Sequence, residues 1–73
     1  MRHFVIFHTH SFGTQTITVR CESDFAGQFN ALPLEDFDSR AVFLNESVGI
    51  SIDPQDFVQV GEYFPDASHL VVL

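Results

Sequence analysis

Two histidines near the N-terminus have the types and spacing that most directly suggest chemistry. His8 and His10 lie two positions apart in a segment rich in aromatic and branched residues, and side chains two apart on a strand project from the same face. Two imidazoles could hold one metal ion if His3, His69 or a carboxylate completed the ligand set, and they could make partner binding pH-dependent. His-x-His without further fixed spacing is more often the polar end of a strand. His8 and His10 are therefore only weak metal candidates, and the sequence predicts no metal and no cofactor.

Carboxylates around one phenylalanine are the second candidate group. Glu35, Asp36 and Asp38 surround Phe37 in residues 33–40, the most acidic segment of the chain, which we interpret as a surface loop. Acid/base catalysis needs two carboxylates held across a cleft with separated pKa values, and a domain this small rarely forms such a cleft. An exposed aromatic ring among carboxylates suits docking on a basic groove. The alternative is a loop that folds Phe37 back beneath itself.

The other signatures of catalysis are missing from the sequence. Cys21 falls on the apolar parity of a predicted strand, where a thiol behaves as a small hydrophobe rather than a nucleophile. The sequence has no Gly-rich phosphate loop, zinc-ligand spacing or nucleophile elbow. We therefore predict that the protein is not an enzyme.

The net charge of the chain limits the classes of partner that the protein can bind. Ten Asp and Glu stand against three Arg, for a net charge of -7, while 45% of the residues are apolar and nine are Phe. That apolar fraction predicts a folded chain with its acids on a formed surface. Three Arg cannot neutralise phosphates beside ten carboxylates, so direct binding to nucleic acid or to an anionic membrane is disfavoured. A basic protein surface is favoured, including one that normally holds DNA or RNA.

Cysteine content and the N-terminal residues bear on the compartment. One cysteine excludes an intramolecular disulfide, and no basic-then-apolar signal segment is visible. We expect a cytoplasmic protein, in the host cytoplasm if a phage encodes it. No apolar stretch approaches the roughly 20 residues of a spanning helix.

The elements that must position these residues form a single α+β domain, residues 1–73, in the order ββαββαβ. Two short helices are expected on one face of a mostly antiparallel sheet of about five strands. We predict strands at 2–10, 16–21, 41–44, 48–52 and 68–73, the first of them central, and helices at 23–32 and 53–64. Ser23 is the expected N-cap of the first helix, and Asp53-Pro54 the expected start of the second.

Most phenylalanines fall on predicted inward positions and are expected in the core. Phe12, in a turn, and Phe37, in the acidic segment, have no element that explains their burial. The residues expected inside are Phe4, Phe7, Phe25, Phe29, Phe43, Phe57 and Phe64.

The favoured hypothesis is a small protein inhibitor that occupies the nucleic-acid-binding surface of a partner. In size and charge the chain resembles the small acidic proteins that phages make against host defence, such as anti-CRISPR and anti-restriction proteins. The alternative is a dimeric interaction module, such as an antitoxin, immunity protein or accessory subunit, that pairs through its sheets or sheet edges. The predicted partner-binding residues are Glu35, Asp36, Phe37, Asp38, Asp56, Glu62, Glu22, Asp24 and Asp53, of which Asp24 and Asp53 are equally well explained as helix caps.

Overall fold

A four-stranded antiparallel sheet and two helices make up the computed structural model, which describes residues 1–72. The elements are β1 (Arg2–His10), β2 (Gly13–Cys21), α1 (Phe25–Asn30), α2 (Phe37–Val48), β3 (Phe57–Phe64), a 3-10 turn (Pro65–Ala67) and β4 (His69–Val72). The strand order is β2-β1-β3-β4. The α+β class and the antiparallel sheet are confirmed, but the order of elements differs from the prediction, and the described chain has four strands rather than five.

The N-terminal hairpin forms as the sequence predicts. β1 lies between β2 and β3, so it is central, and Ile6 faces Ile17 across the β1–β2 ladder. Alternation along β2 places Ile17 and Val19 toward the core and Thr16 and Thr18 toward solvent. The branched residues suit this pleated, half-buried surface.

Both helices pack on one side of the sheet and form the core with it. The core residues, each at most 4% exposed, are Phe4, Ile6 and Val60 from the sheet and Phe25, Ala26, Phe29 and Leu44 from the helices. The predicted helix after β2 is confirmed, although its cap is Asp24, which accepts a hydrogen bond from the Gly27 amide, rather than Ser23.

The segment predicted as a loop and two strands is largely a helix. Residues 37–48 form α2, which begins at the Asp36 cap and ends at Gly49, whose φ of 76° is readily adopted only by glycine. Its more buried positions recur with helical spacing, and Leu44 is fully buried. The predicted strands at 41–44 and 48–52 are therefore wrong: residues 41–44 lie within α2, where Val42 is exposed and Leu44 is buried, and residues 49–52 follow the helix without forming a strand.

The segment predicted as the second helix is strand β3. Asp53 and Pro54 lie in a turn closed by a hydrogen bond from the Asp56 amide to the Asp53 carbonyl, not at a helix start. β3 takes the free edge of β1, and Val60 faces Ile6 there. β1 is a central strand and needs a neighbour on each side. Pairing with β1 therefore outweighs the helical spacing of the apolar residues in 57–64.

Two phenylalanines of β3 contradict the predicted burial pattern. Phe57 and Phe64 are exposed rather than inward. Phe7 and Phe43 are only half-buried, and Phe12 is 94% exposed, as its place in a turn suggested. Phe7 and Phe57 lie on the side of the sheet opposite to the core residues, and Phe64 is the last residue of β3 before the 3-10 turn.

β4 confirms a strand near the C-terminus over residues 69–72, and position 73 of the predicted strand lies outside the described residues. Among residues 1–72, no helix is long and apolar enough to cross a bilayer.

Close approach of β4 makes Gly61 sensitive to substitution. A Cβ at Gly61 would lie 2.5 Å from the Val71 carbonyl oxygen, so the Gly61→Ala variant must displace β4. We expect a loss of about 1–3 kcal/mol of unfolding free energy, as in overpacked sites, and faster amide exchange in β4, measured by thermal denaturation and hydrogen exchange. The Gln59→Ala control changes an exposed residue of the same strand. Unchanged exchange in β4 of the glycine variant would contradict the close approach.

Candidate functional site

A buried histidine–aspartate pair joins the sheet to the segment that precedes β3. His8 Nε2 lies 2.8 Å from Asp56 Oδ2, and the two side chains are only 8% and 7% exposed. The same carboxylate oxygen accepts a hydrogen bond from the Asp53 amide at 3.0 Å. These two bonds hold the pKa of Asp56 below its ordinary value. The bond from the Asp53 amide lowers this pKa most, and the bond to His8 comes next. The pair is thus an internal tie between β1 and residues 49–56.

This pair gives Asp56 a different environment from the one expected. Asp56 was expected on an exposed helix as a partner-binding residue, but its carboxylate is turned inward to His8. The pair joins residues 48 positions apart, and no local pattern in the sequence signals it. Only the placement of β1 beside β3 brings the imidazole and the carboxylate together.

The histidine pair has the geometry of neighbouring side chains on one strand. The His8 and His10 rings meet edge to face with centroids 5.2 Å apart, and His10 Nδ1 accepts a hydrogen bond from the Phe12 amide. Over residues 1–72, no group of three or more His, Cys, Asp or Glu side chains is arranged to hold a metal ion. The observed role of His8 is its contact with Asp56.

The predicted acidic loop is the start of α2. The Asp36 side chain accepts a hydrogen bond from the Ser39 amide at 3.2 Å, and its bonding to Ser39 lowers the pKa of Asp36. Glu35 and Asp38 flank it and are exposed. Phe37 is half-buried at a small cavity of about 130 Å³ between α2 and the start of β3. Of the two expectations for Phe37, the ring folded back against the chain describes its position better than a fully exposed ring.

Three other residues that were predicted to bind a partner lie near the N-terminus. Arg2 makes a two-nitrogen ion pair with Glu62, at 2.7 Å for each contact, and lies 3.4 Å from Asp24. The bonds to Arg2 lower the pKa of Glu62, and those to Glu62 raise the pKa of Arg2. Glu22 lies 3.9 Å from the terminal ammonium of Met1. Local cations therefore partly neutralise this acidic group, and Asp24 is also used as a cap.

The outward side of α2 carries acids without such compensation. Asp38, Val42 and Glu46 follow one another at four-residue spacing and are all exposed, with Val42 at 53%. We call these three residues the α2 ridge. Neither carboxylate of the ridge has an ion pair within the described chain, and the same is true of Glu35 and Asp53. Glu46 was not among the predicted partner-binding residues. Its neighbours were predicted to form strands, and the four-residue spacing of the ridge is recognisable only on a helix.

The side of the sheet away from the helices has a different character. It consists of the odd-numbered residues 3–9 of β1, the even-numbered residues 14–20 of β2, the odd-numbered residues 57–63 of β3, and residues 70 and 72 of β4. We call it the open sheet face. None of these described positions is Asp or Glu, and Arg20 is the one arginine among them. The ten carboxylates of the chain therefore lie on the helices, in the connecting segments, or on the helix-facing side of β3.

Comparison of the chain with protein-family models, with curated proteins and with solved structures found no match.

Proposed function

We propose that this protein is a small acidic inhibitor that binds a basic surface on a nucleic-acid-binding partner and blocks it. The observation that carries the proposal is the uneven distribution of charge: no carboxylate lies on the open sheet face, whereas Asp38 and Glu46 of the α2 ridge are exposed and have no ion pair within residues 1–72. Exposed carboxylates without a neighbouring cation keep their charge available for a basic partner.

The α2 ridge supplies the contact surface in this proposal. Asp38 and Glu46 are eight residues apart on a regular helix, or about 12 Å along its axis, so they can bind separate basic side chains of a partner. Val42 lies between them and offers an apolar contact that becomes desolvated on docking. Such a centre with charged flanks is the usual arrangement of an interface patch.

Inhibition requires no chemical step by the chain itself. A net charge of -7 steers the protein toward a positive groove on the partner. The bound carboxylates then form ion pairs with the Lys and Arg side chains of the partner that would otherwise contact phosphates. The complex should weaken as salt rises, because screening acts on exposed ion pairs. Nucleic acid and inhibitor should therefore compete for one surface of the partner.

The test is a matched charge reversal. Asp38→Lys with Glu46→Lys removes the ridge acids without touching a cap, whereas Glu22→Lys with Asp66→Lys makes the same change in net charge elsewhere. Tagged proteins would be incubated at low salt with lysates of candidate host bacteria, and the captured protein would be identified and assayed for bound DNA or RNA. We expect a captured nucleic-acid-binding protein that has lost its nucleic acid, with affinity at least about tenfold lower for the ridge variant, a loss typical of truncated central contacts.

Two results would contradict the proposal. Equal weakening by both double variants would mean that only net charge matters, and a captured partner that retains its nucleic acid would rule out mimicry. The alternative function, a dimeric interaction module, predicts that both variants leave self-association unchanged.

A further inference from the structure

The open sheet face, which neither helix covers, has its apolar side chains on β1, β3 and β4 and only polar side chains on β2. Tyr63, Leu70 and Val72 are 38%, 40% and 43% exposed there, and the register sets Leu70 beside Tyr63. Phe7 and Val5 of the central strand lie half-buried on the same side. The core residues all lie on the other side. A two-layer α/β domain thus leaves one of its sheet surfaces without a covering layer.

Charge determines through which surface two copies of this chain can associate. Two copies of a chain with a net charge of -7 repel each other, and contact through the helix layer would press carboxylates together. Contact through the open sheet face brings no carboxylate of these strands into the interface. Sheets pack about 10 Å apart, so the acidic helix layers of the two copies would then lie beyond the screening length of about 8 Å at physiological salt.

The area of the open sheet face determines how tightly two copies are expected to bind each other. Four strands at about 4.8 Å spacing span about 19 Å, and the nine-residue strands β1 and β2 extend about 30 Å at 3.3 Å per residue. Since β4 is shorter, the face covers roughly 500 Å², and two stacked copies would bury roughly 1,000 Å². That is the lower limit of specific interfaces. We expect a reversible association with a Kd in the micromolar range rather than an obligate dimer.

We propose that a second copy of this chain binds the open sheet face, so that the two sheets stack face to face with the helices outermost. The apolar half of the face, on β1, β3 and β4, forms the centre of this interface, and the threonines of β2 form its polar border. Aligned sheets in such sandwiches cross at about 30° because each is twisted. The inference does not depend on the inhibitor function, although the dimer would display two acidic surfaces on opposite sides.

The first test is the oligomeric state of the wild-type chain. Analytical ultracentrifugation from about 1 μM to about 1 mM brackets the expected Kd, and the average mass should rise from the monomer value of 8.2 kDa toward twice that value. The Leu70→Glu variant places a carboxylate in the interface and should raise the Kd at least about tenfold. The control Val42→Glu adds the same charge at an exposed apolar residue of α2 and should leave the Kd nearly unchanged.

A second measurement keeps the proposal falsifiable if the Leu70 variant does not fold. In a mixture of isotope-labelled and unlabelled wild-type protein, intermolecular nuclear Overhauser effects should connect Phe7, Tyr63 and Leu70 side chains. Contacts that involve Val42, or intermolecular contacts confined to the outer edge of β2, would overturn the proposal. A wild-type chain that remains monomeric at every concentration would overturn it too. Partner binding by the ridge variants is measured separately, so failure of the dimer and failure of the inhibitor function are distinguishable.

Discussion

The Phe29→Ala variant is expected to lose a large part of the stability of the domain. Phe29 is 1% exposed, its ring lies 6.1 Å from the Phe43 ring, and the Arg40 guanidinium stacks over it at 4.1 Å. Loss of a buried phenylalanine costs about 3–5 kcal/mol, through lost transfer free energy and the cavity left behind. A domain of this length has a total stability of about 4–11 kcal/mol, so the variant should be largely unfolded in mild denaturant.

The matched control is Phe12→Ala, the same chemical change at a side chain that is 94% exposed. This substitution should change the unfolding free energy by at most about 0.5 kcal/mol. Urea denaturation followed by circular dichroism compares the two variants with the wild-type protein. A small effect at Phe29, or equal effects at the two positions, would mean that α1 does not pack as described.

The Asp56→Asn variant should lose stability near neutral pH but not in acid. The pKa of Asp56 is lowered in the folded protein, first by the Asp53 amide and then by the bond to His8. A depressed pKa means that this contribution is fully present above the unfolded pKa and is lost as the pH falls through the folded pKa. The stability difference between wild type and variant should therefore be constant above about pH 5 and shrink toward zero below it.

The control for this pair is Asp53→Asn, the same change at an exposed residue three positions earlier. Asp53 supplies only its backbone amide to the tie, so its side chain should contribute little at any pH. Asp36 and Glu62 also have lowered pKa values and act in both variants equally. Denaturation at a series of pH values measures the differences. A pH-independent loss in Asp56→Asn would show that the carboxylate charge is not what stabilises the tie.

The N-terminal part of the fold was predictable because local pattern and tertiary environment agree there. Alternation in β2, the apolar run of β1 and the turn between them all indicate a hairpin, and a hairpin forms. Asp24 and the apolar residues at Phe25 and Phe29 likewise mark α1. Each of these elements has contacts that suit its own sequence period.

The C-terminal part was not predictable in this way because its two main segments have ambiguous periods. Residues 41–44 are four consecutive apolar positions, which local period alone does not assign to a strand or to a helix, and the cap at Asp36 together with Gly49 favours the helix. The apolar residues of 57–64 fit a helix or a strand, and β1 offers them an unpaired edge. Long-range pairing outweighs weak local preference when both periods fit.

The sequence by itself determined the net charge of this protein and much of its class: an acidic α+β domain with a central first strand, without the residue patterns of common catalytic sites. Only the tertiary structure decided where the acids lie. It turned Asp56 inward to His8 and left the α2 ridge and the open sheet face as surfaces of opposite character. The physical reason is that buried pairs and sheet faces depend on contacts between residues far apart in the chain, such as the 48 positions between His8 and Asp56, which charge counts and local periods do not specify.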